Sequence, residues 1–426
     1  MKYMSLIFFI ILQTLCLFSI PVFSQQNEDA NTPITLEDYL RIAAMQNAGL
    51  ETAFEQWQAA LEQIPQAKVL PDPKFTYGYF IREIETRTGP QKQRFSIAQT
   101  FPWFGVIDSR TDIASMKAQA AYQNYEAKKL ELFYNVKNSF YEYAYLGSAI
   151  DIAKQNVELL KYLEEIARTR YAISTGSHPD IIRAQIELAI IEDKLQSLEK
   201  LQEPMVAGLN SILNRKNDLP LPLPEFEKSI HVTINKKELI DSMISNNPKL
   251  LAQNFDIASA KAGIELAKKK FYPDLSIGLD WIQTDDAITA GVKDSGQDPI
   301  IAMFSINLPI WTESYKAAEI QARTQARVLS AKKEQSQNDF IAQFEKNLFE
   351  YEDSVRKISL NENTLIPRAQ EMLEASETAY KAGTVDFLNL IDSQRTLLEF
   401  KLSYERECTR KMQKLAALEM LTGNEL

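Results

Sequence analysis

Between residues 106 and 169 the chain has no proline and a single glycine, Gly147. A second such run, from residue 313 to 381, contains one proline, Pro367. Gln, Glu, Ala, Lys and Leu dominate these stretches, and each predicts a helix roughly 100 Å long at ~1.5 Å per residue. A helix of that length must be packed along its whole extent, as in a coiled coil. The apolar residues Ile181, Ala184, Leu188, Ile191, Leu195 and Leu198 alternate spacings of three and four, the seam of a left-handed coiled coil. Glu187, Glu192, Lys194 and Lys200 fall on the other face and read as a solvated surface or the wall of an aqueous lumen.

The first 24 residues differ. Lys2 precedes an apolar run from residue 4 to 22, and "VFS" precedes Gln25, the pattern of a secretory signal peptide. Cys16 would leave with it, so Cys408 would remain as the only cysteine and no intrachain disulfide could form. The net charge of −10 would become −11 without Lys2, and no basic tract points to nucleic acid. No other run approaches the ~20 apolar residues of a membrane helix. A bilayer-crossing segment would have to be made of strands.

Strand patterns are present. Leu275, Ile277, Leu279 and Trp281 alternate with Ser276, Gly278 and Asp280, and Ile300, Ala302, Phe304, Ile306 and Leu308 alternate with a mixed face. Phe75, Tyr77 and Tyr79, and the set Phe95, Ile97 and Phe101, do the same nearer the N-terminus. Lengths near ten residues suit tilted membrane strands with lipid on one face and water on the other. Tyr79, Phe101, Trp103, Phe104, Trp281 and Trp311 fall near strand ends, where an aromatic girdle would lie. Four strands are too few to close a barrel, so a barrel would require several copies. A pair of hairpins in a soluble sandwich shows the same alternation.

The chain reads as two halves with one plan. "QNAGL" at 46–50 is answered by "NNPKL" at 246–250, and "LPDPKFTYGYF" by "YPDLSIGLDWI". "QTFPWFG" is answered by "INLPIWT", and "YAISTGSHPDIIRAQ" from Tyr171 by "YKAGTVDFLNLIDSQ" from Tyr380. The expected organisation is a signal peptide (1–24), a first repeat (25–216), a Pro-rich linker (217–235) and a second repeat (236–426). Each repeat would carry one modest helix (about 35–65 and 236–270), a β-hairpin and two long helices.

Chemistry-bearing patterns are absent. His178 and His231 are far apart, the acidic residues read as helix surface, and no Gly-rich phosphate loop occurs. Cys408 has no cysteine partner, and few His and Met residues are available for soft metals. The reading is no enzyme, no cofactor and no metal site.

The ordered set of signal peptide, duplicated halves, paired hairpins and paired long helices resembles the TolC family of outer-membrane efflux proteins. The repeated turn after Tyr171 and Tyr380 is its sharpest local mark. The resemblance implies an α+β membrane protein: a long α-helical coiled-coil barrel joined to a transmembrane β-barrel shared by a homotrimer, four strands per chain. Residues 82–91 and 283–299 would be loops outside the cell, and turns at Gly176 and Gly383 would form the far periplasmic tip. At the second turn Gly383 and Thr384 would let the chain reverse, and Asp386 would start the next helix. Ser177, His178 and Pro179 would start the equivalent helix in the first half.

The family pattern further implies a gate at this tip. Aligned on Tyr380 and Gly383, its acidic positions fall on Asn389 and Asp392, of which Asp392 alone keeps a carboxylate. Function would be a passive exit duct in the outer membrane, reached by a periplasmic adaptor docking near Tyr171–Pro179 and Tyr380–Phe387. An inner-membrane pump of the resistance-nodulation-division (RND) or ATP-binding-cassette (ABC) type would supply the energy. Cargo, whether drug, metal or protein, is left open. The alternative is a non-conducting coiled-coil spacer anchored by its strands.

Overall fold

The computed structural model describes residues 32–228, 232 and 234–426. The expected signal peptide and His231 lie outside the described residues. The described residues begin with three short helices, α1 (Leu36–Gln46), α2 (Ala48–Leu61) and α3 (Gln63–Lys68). After two strands come α4 (Val106–Ala172) and α5 (His178–Ile212). The second half repeats the order with α6 (Lys236–Asn246) and α7 (Pro248–Lys269), two strands, then α8 (Thr312–Leu360), α9 (Ile366–Ala382) and α10 (Phe387–Thr422).

The 67 residues of α4 form one uninterrupted helix, as the lack of proline predicts. Three helix expectations need correction. The stretches 35–65 and 236–270 are not single helices, because Asn47 and Asn247 each end one helix and cap the next. Asn47 Oδ1 accepts from the Leu50 N–H at 2.9 Å, and Asn247 Oδ1 from Lys249 at 2.9 Å. Their amide groups donate to Ile212 O and Leu421 O, both at 2.8 Å, and so tie each break to the end of the last helix of its half.

The run from 313 to 381 is also not one regular helix. A five-residue π-turn, Asn361–Leu365, separates α8 from α9 just before Pro367. Pro367 has no N–H for the carbonyl of Asn363 and its ring crowds that turn, and the wider π-turn absorbs the misfit.

The strands β1 (Lys74–Thr86), β2 (Gly89–Phe101), β3 (Leu275–Thr284) and β4 (Ile300–Ile306) form one antiparallel sheet in the order β1-β2-β3-β4. Residues 82–91 are therefore not a loop: pairing continues to Thr86↔Gly89, past a register shift after Tyr79. The charges there hid a strand whose stability comes from backbone pairing. The second connection starts only after Thr284, and β4 stops at Ile306 rather than Leu308.

Register puts Phe75, Tyr77, Ile97, Leu275, Ile277, Leu279, Trp281, Ile300, Phe304 and Ile306 on one face, all exposed in the single chain. Tyr77, Phe95 and Trp281 stack across three strands with ring centroids 5.2 Å apart at each step.

The helices bury two apolar clusters. One gathers Tyr39, Phe140, Tyr143, Leu209, Met243, Phe344 and Leu418 around the ends of the short helices. The Pro-rich stretch packs on it: Leu221 is buried, and Tyr143 Oη donates to its carbonyl at 2.9 Å. The second runs toward the two helical turns and includes Leu160, Leu163, Ala184, Leu373, Tyr380, Phe387 and Leu390. All six residues of the expected heptad seam lie in or against this second cluster. Each fully buried side chain of this size contributes about 1.5–3 kcal/mol.

Candidate functional site at the helical tip

The two turns that join α4 to α5 and α9 to α10 have the same backbone. Ser174 N donates to Tyr171 O at 3.0 Å and Thr175 N to Arg170 O at 2.9 Å. Gly383 N donates to Tyr380 O at 3.0 Å and Thr384 N to Ala379 O at 2.9 Å. Both are Schellman closures, with the left-handed position at Ser174 (φ 61°) and Gly383 (φ 79°). Gly176 is thus not the left-handed residue of the first turn. A Cβ on it would lie 2.9 Å from Arg170 Cβ and 3.0 Å from Tyr171 N, so glycine is needed there for close approach. Setting Tyr171 against Tyr380 places Ser174, not Gly176, opposite Gly383; serine's poor fit to a left-handed turn drew the expected turn to Gly176 instead.

The helix starts differ as well. Asp386 Oδ1 accepts from the Asn389 N–H at 3.1 Å, a side-chain cap. Ser177 makes no such bond, and Pro179 occupies the opening turn of α5. Thr384 Oγ1 returns to Ala379 O at 3.0 Å.

Tyr380 joins the turns. It is 2 % exposed, packs on the Phe387 ring at 5.2 Å, and donates through Oη to Asp180 Oδ2 at 3.2 Å. Burial first, and then the Asp180 charge, push its phenol up to about 12. Arg170 lies over the Tyr380 ring at 4.5 Å while its Nη2 donates to Thr175 O at 2.8 Å. Tyr171, at the matching position of the first turn, is 49 % exposed and stands 5.6 Å from the His178 ring.

One turn further along α10, Asp392 has a side chain 60 % exposed, and Asn389 on the same face is also exposed. Asp392 Oδ1 is 3.9 Å from Arg395 Nη1. Arg395 is committed elsewhere: its Nε donates to Glu187 Oε2 at 3.1 Å and its Nη2 to Oε1. Glu187 is therefore a partner that ties α5 to α10, not a solvated surface charge. Behind this face Gln394 donates to Asn156, and the hydroxyls of Ser376 and Ser393 are 2.9 Å apart. Sequence gave no sign of this buried polar layer, since single Gln and Ser residues on a helix carry no partner information.

Among the described residues, no group of three or more His, Cys, Asp or Glu is placed to hold a metal. Cys408 is buried, and burial pushes its thiol up to about 11.

A family model described as outer membrane efflux protein matches residues 39–215 and 239–424. The chain belongs to that family. The cobalt-zinc-cadmium resistance protein CzcC of Cupriavidus metallidurans is 21 % identical over 396 residues, which cover 90 % of this chain and 88 % of CzcC. Among solved structures, CusC superposes with TM-score 0.78 at 14 % identity, covering 94 % of this chain and 96 % of that one. The outer-membrane channel OprN gives 0.77 at 17 % identity, covering 91 % and 90 %. As an outer membrane efflux protein, the chain places its four strands in the outer membrane and its helical body in the periplasm. No described helix is long and apolar enough to cross a membrane.

Proposed function

We propose that three copies of this chain form one exit duct, passive in itself and gated at the helical tip. The observation that carries the reading is the sheet: β1 and β4 each pair on one side only, and one face is a continuous apolar surface. Unpaired backbone groups in lipid cost several kcal/mol each, so such a sheet is stable in a bilayer only when its edges are closed. Three copies supply twelve strands. In this reading residues 25–216 and 236–426 are structural repeats joined through 217–235, and the body is a helical tunnel.

Asp392 and Asn389 project from the α10 face that would meet the axis. Three Asp392 carboxylates there would attract cations and repel anions, while three Asn389 side chains would add a ring without charge. The Tyr380–Asp180 and Arg395–Glu187 links hold α9 and α10 against α5, the closed arrangement in this reading. A periplasmic adaptor would dock around Tyr171, Gly176, Ser177 and Pro179 in the first turn and Tyr380, Gly383, Thr384 and Asp386 in the second. A pump in the inner membrane would supply the energy. CzcC is described as a cobalt-zinc-cadmium resistance protein and a CusC as a cation efflux system protein, while another relative is described as a toxin and drug export protein, so the names of the relatives select no one cargo.

The test is reconstitution of the purified trimer in planar bilayers. Discrete openings are expected, larger or more frequent once Tyr380→Ala loosens the tip. Correctly inserted trimer that stays silent, with and without Tyr380→Ala, would replace the duct with the non-conducting spacer.

A further inference from the structure

The strand cores, residues 75–79, 93–101, 275–282 and 300–306, contain two charged side chains, Arg94 and Asp280. Both lie on the face opposite the apolar one. Register pairs Ser96 with Asp280, Ala98 with Gly278 and Arg94 with Ile282, and this face continues through Ile301 and Met303 on β4. The Asp280 side chain is 0 % exposed and that of Arg94 46 %. Arg94 Nη2 bonds Asp280 Oδ2 and reaches across β3 to Met303 Sδ at 3.9 Å. Gly78, paired with Arg94 on the other side, keeps the wall low beside it. Arg94 therefore lies flat along the wall, crossing from β2 to β4.

Charges inside membrane segments are costly, face water-filled interiors, and mark the path of ions and solutes. We infer that the Arg94–Asp280 pair is a charge-setting element of the barrel interior, separate from the tip. Asp280 neutralises Arg94 and holds it flat, so that the pair adds no net charge to the wall at this level. The inference rests on the shared-barrel reading, in which three such pairs form one belt. Without the Asp280 charge, three guanidinium groups swing into the lumen and make an anion-attracting ring. The belt then selects for cargo bearing carboxylate or phosphate, whatever the tip admits.

The test uses full-length trimer in liposomes with Cys16→Ser and Cys408→Ser, so that a thiol introduced by Ser96→Cys is the one read. Its rates with an anionic and a cationic methanethiosulfonate of equal size give a ratio that reports local charge without any current. A freed unit charge about 7 Å away in water changes each rate about threefold in opposite directions, so Asp280→Asn should raise the anionic-to-cationic ratio roughly five- to tenfold. Arg94→Gln should lower it by a similar factor, and the double variant should return it to the starting value. Trimer migration on gels checks folding; if Asp280→Asn does not accumulate, Arg94→Gln carries the same test. An unchanged ratio in the folded variant overturns the inference. So does Ile97→Cys reacting while Ser96→Cys does not, because the wetted face would then be the apolar one. Because the readout needs no conduction, a duct that proves silent leaves this result to stand or fall by itself.

Discussion

At the first turn the left-handed position holds Ser174 and the neighbouring tyrosine, Tyr171, points into solvent; at the second it holds Gly383 and Tyr380 is buried. The backbone hydrogen bonds are the same in both. What differs is the side-chain anchoring: the second turn is locked through Tyr380 to Asp180 and capped by Asp386, whereas Ser177 makes no cap bond. Arg170 and Thr175 also bond within the first turn, so both turns are tied, but only the second buries its tyrosine and caps its next helix with a side chain. In the proposed duct the end with the buried tyrosine is the one a gate would release, and the end with the exposed tyrosine the one an adaptor would meet.

The largest expected difference comes from truncating the two tyrosines. Tyr380→Ala should destabilise the tip by about 3 kcal/mol, as for other fully buried aromatics, and Tyr171→Ala by less than about 0.5 kcal/mol. Protease nicking at the turns in the detergent-solubilised protein would measure both. Equal sensitivity would break the comparison.

The same asymmetry has a pH signature. The Tyr380 phenol is raised from 10.0 to about 12, so its contribution is fully present below the unfolded value and is lost as pH rises through the folded one. Between those values wild-type tip protection should fall, while Tyr380→Phe, which lacks the ionisation, should fall less. Amide exchange of the second turn from pH 9 to 12 reads this out.

The left-handed positions give a smaller effect. Gly383→Ala should cost about 1–2 kcal/mol, because a Cβ there is strained and would lie 3.2 Å from Arg170 Nη2. Ser174→Gly should stabilise by about 0.5 kcal/mol, since relief of the same strain is partly offset by the entropy of glycine. Exchange rates of the Thr175 and Thr384 amides would resolve the opposite signs.

The caps are smaller still. Asp386→Ala should cost about 1 kcal/mol and Ser177→Ala a few tenths, seen as fraying at the start of α10 but not of α5.

Much of the architecture was legible because it is local. Absence of proline, with Gly147 as the single glycine, marks α4, and alternation marks the apolar faces of Phe75–Tyr77 and Leu275–Trp281. Gly383 and Asp386 carry their own turn and cap chemistry. What could not be read depends on partners distant in sequence. Asn47 and Asn247 look like ordinary helix residues until Ile212 and Leu421 supply their acceptors. Glu187 looks solvated until Arg395 arrives from 208 residues away. The outer part of β1 looks like a loop until β2 pairs with it, and Asp280 looks like a polar-face residue until Arg94 covers it. At the tip Ser174 defeats the reading for a different reason: the chain accepts strain where the expected residue is glycine.

In the proposed duct the second turn, not the first, sets the constriction. The direct measurement is single-channel conductance of wild type beside Asp392→Ala and Arg183→Ala, the residues that occupy matching places after Tyr380 and Tyr171. Cation-preferring openings are expected in wild type, with a clear loss of cation preference in Asp392→Ala and no change in Arg183→Ala. A change in Arg183→Ala with Asp392→Ala indistinguishable from wild type would contradict that placement of the constriction.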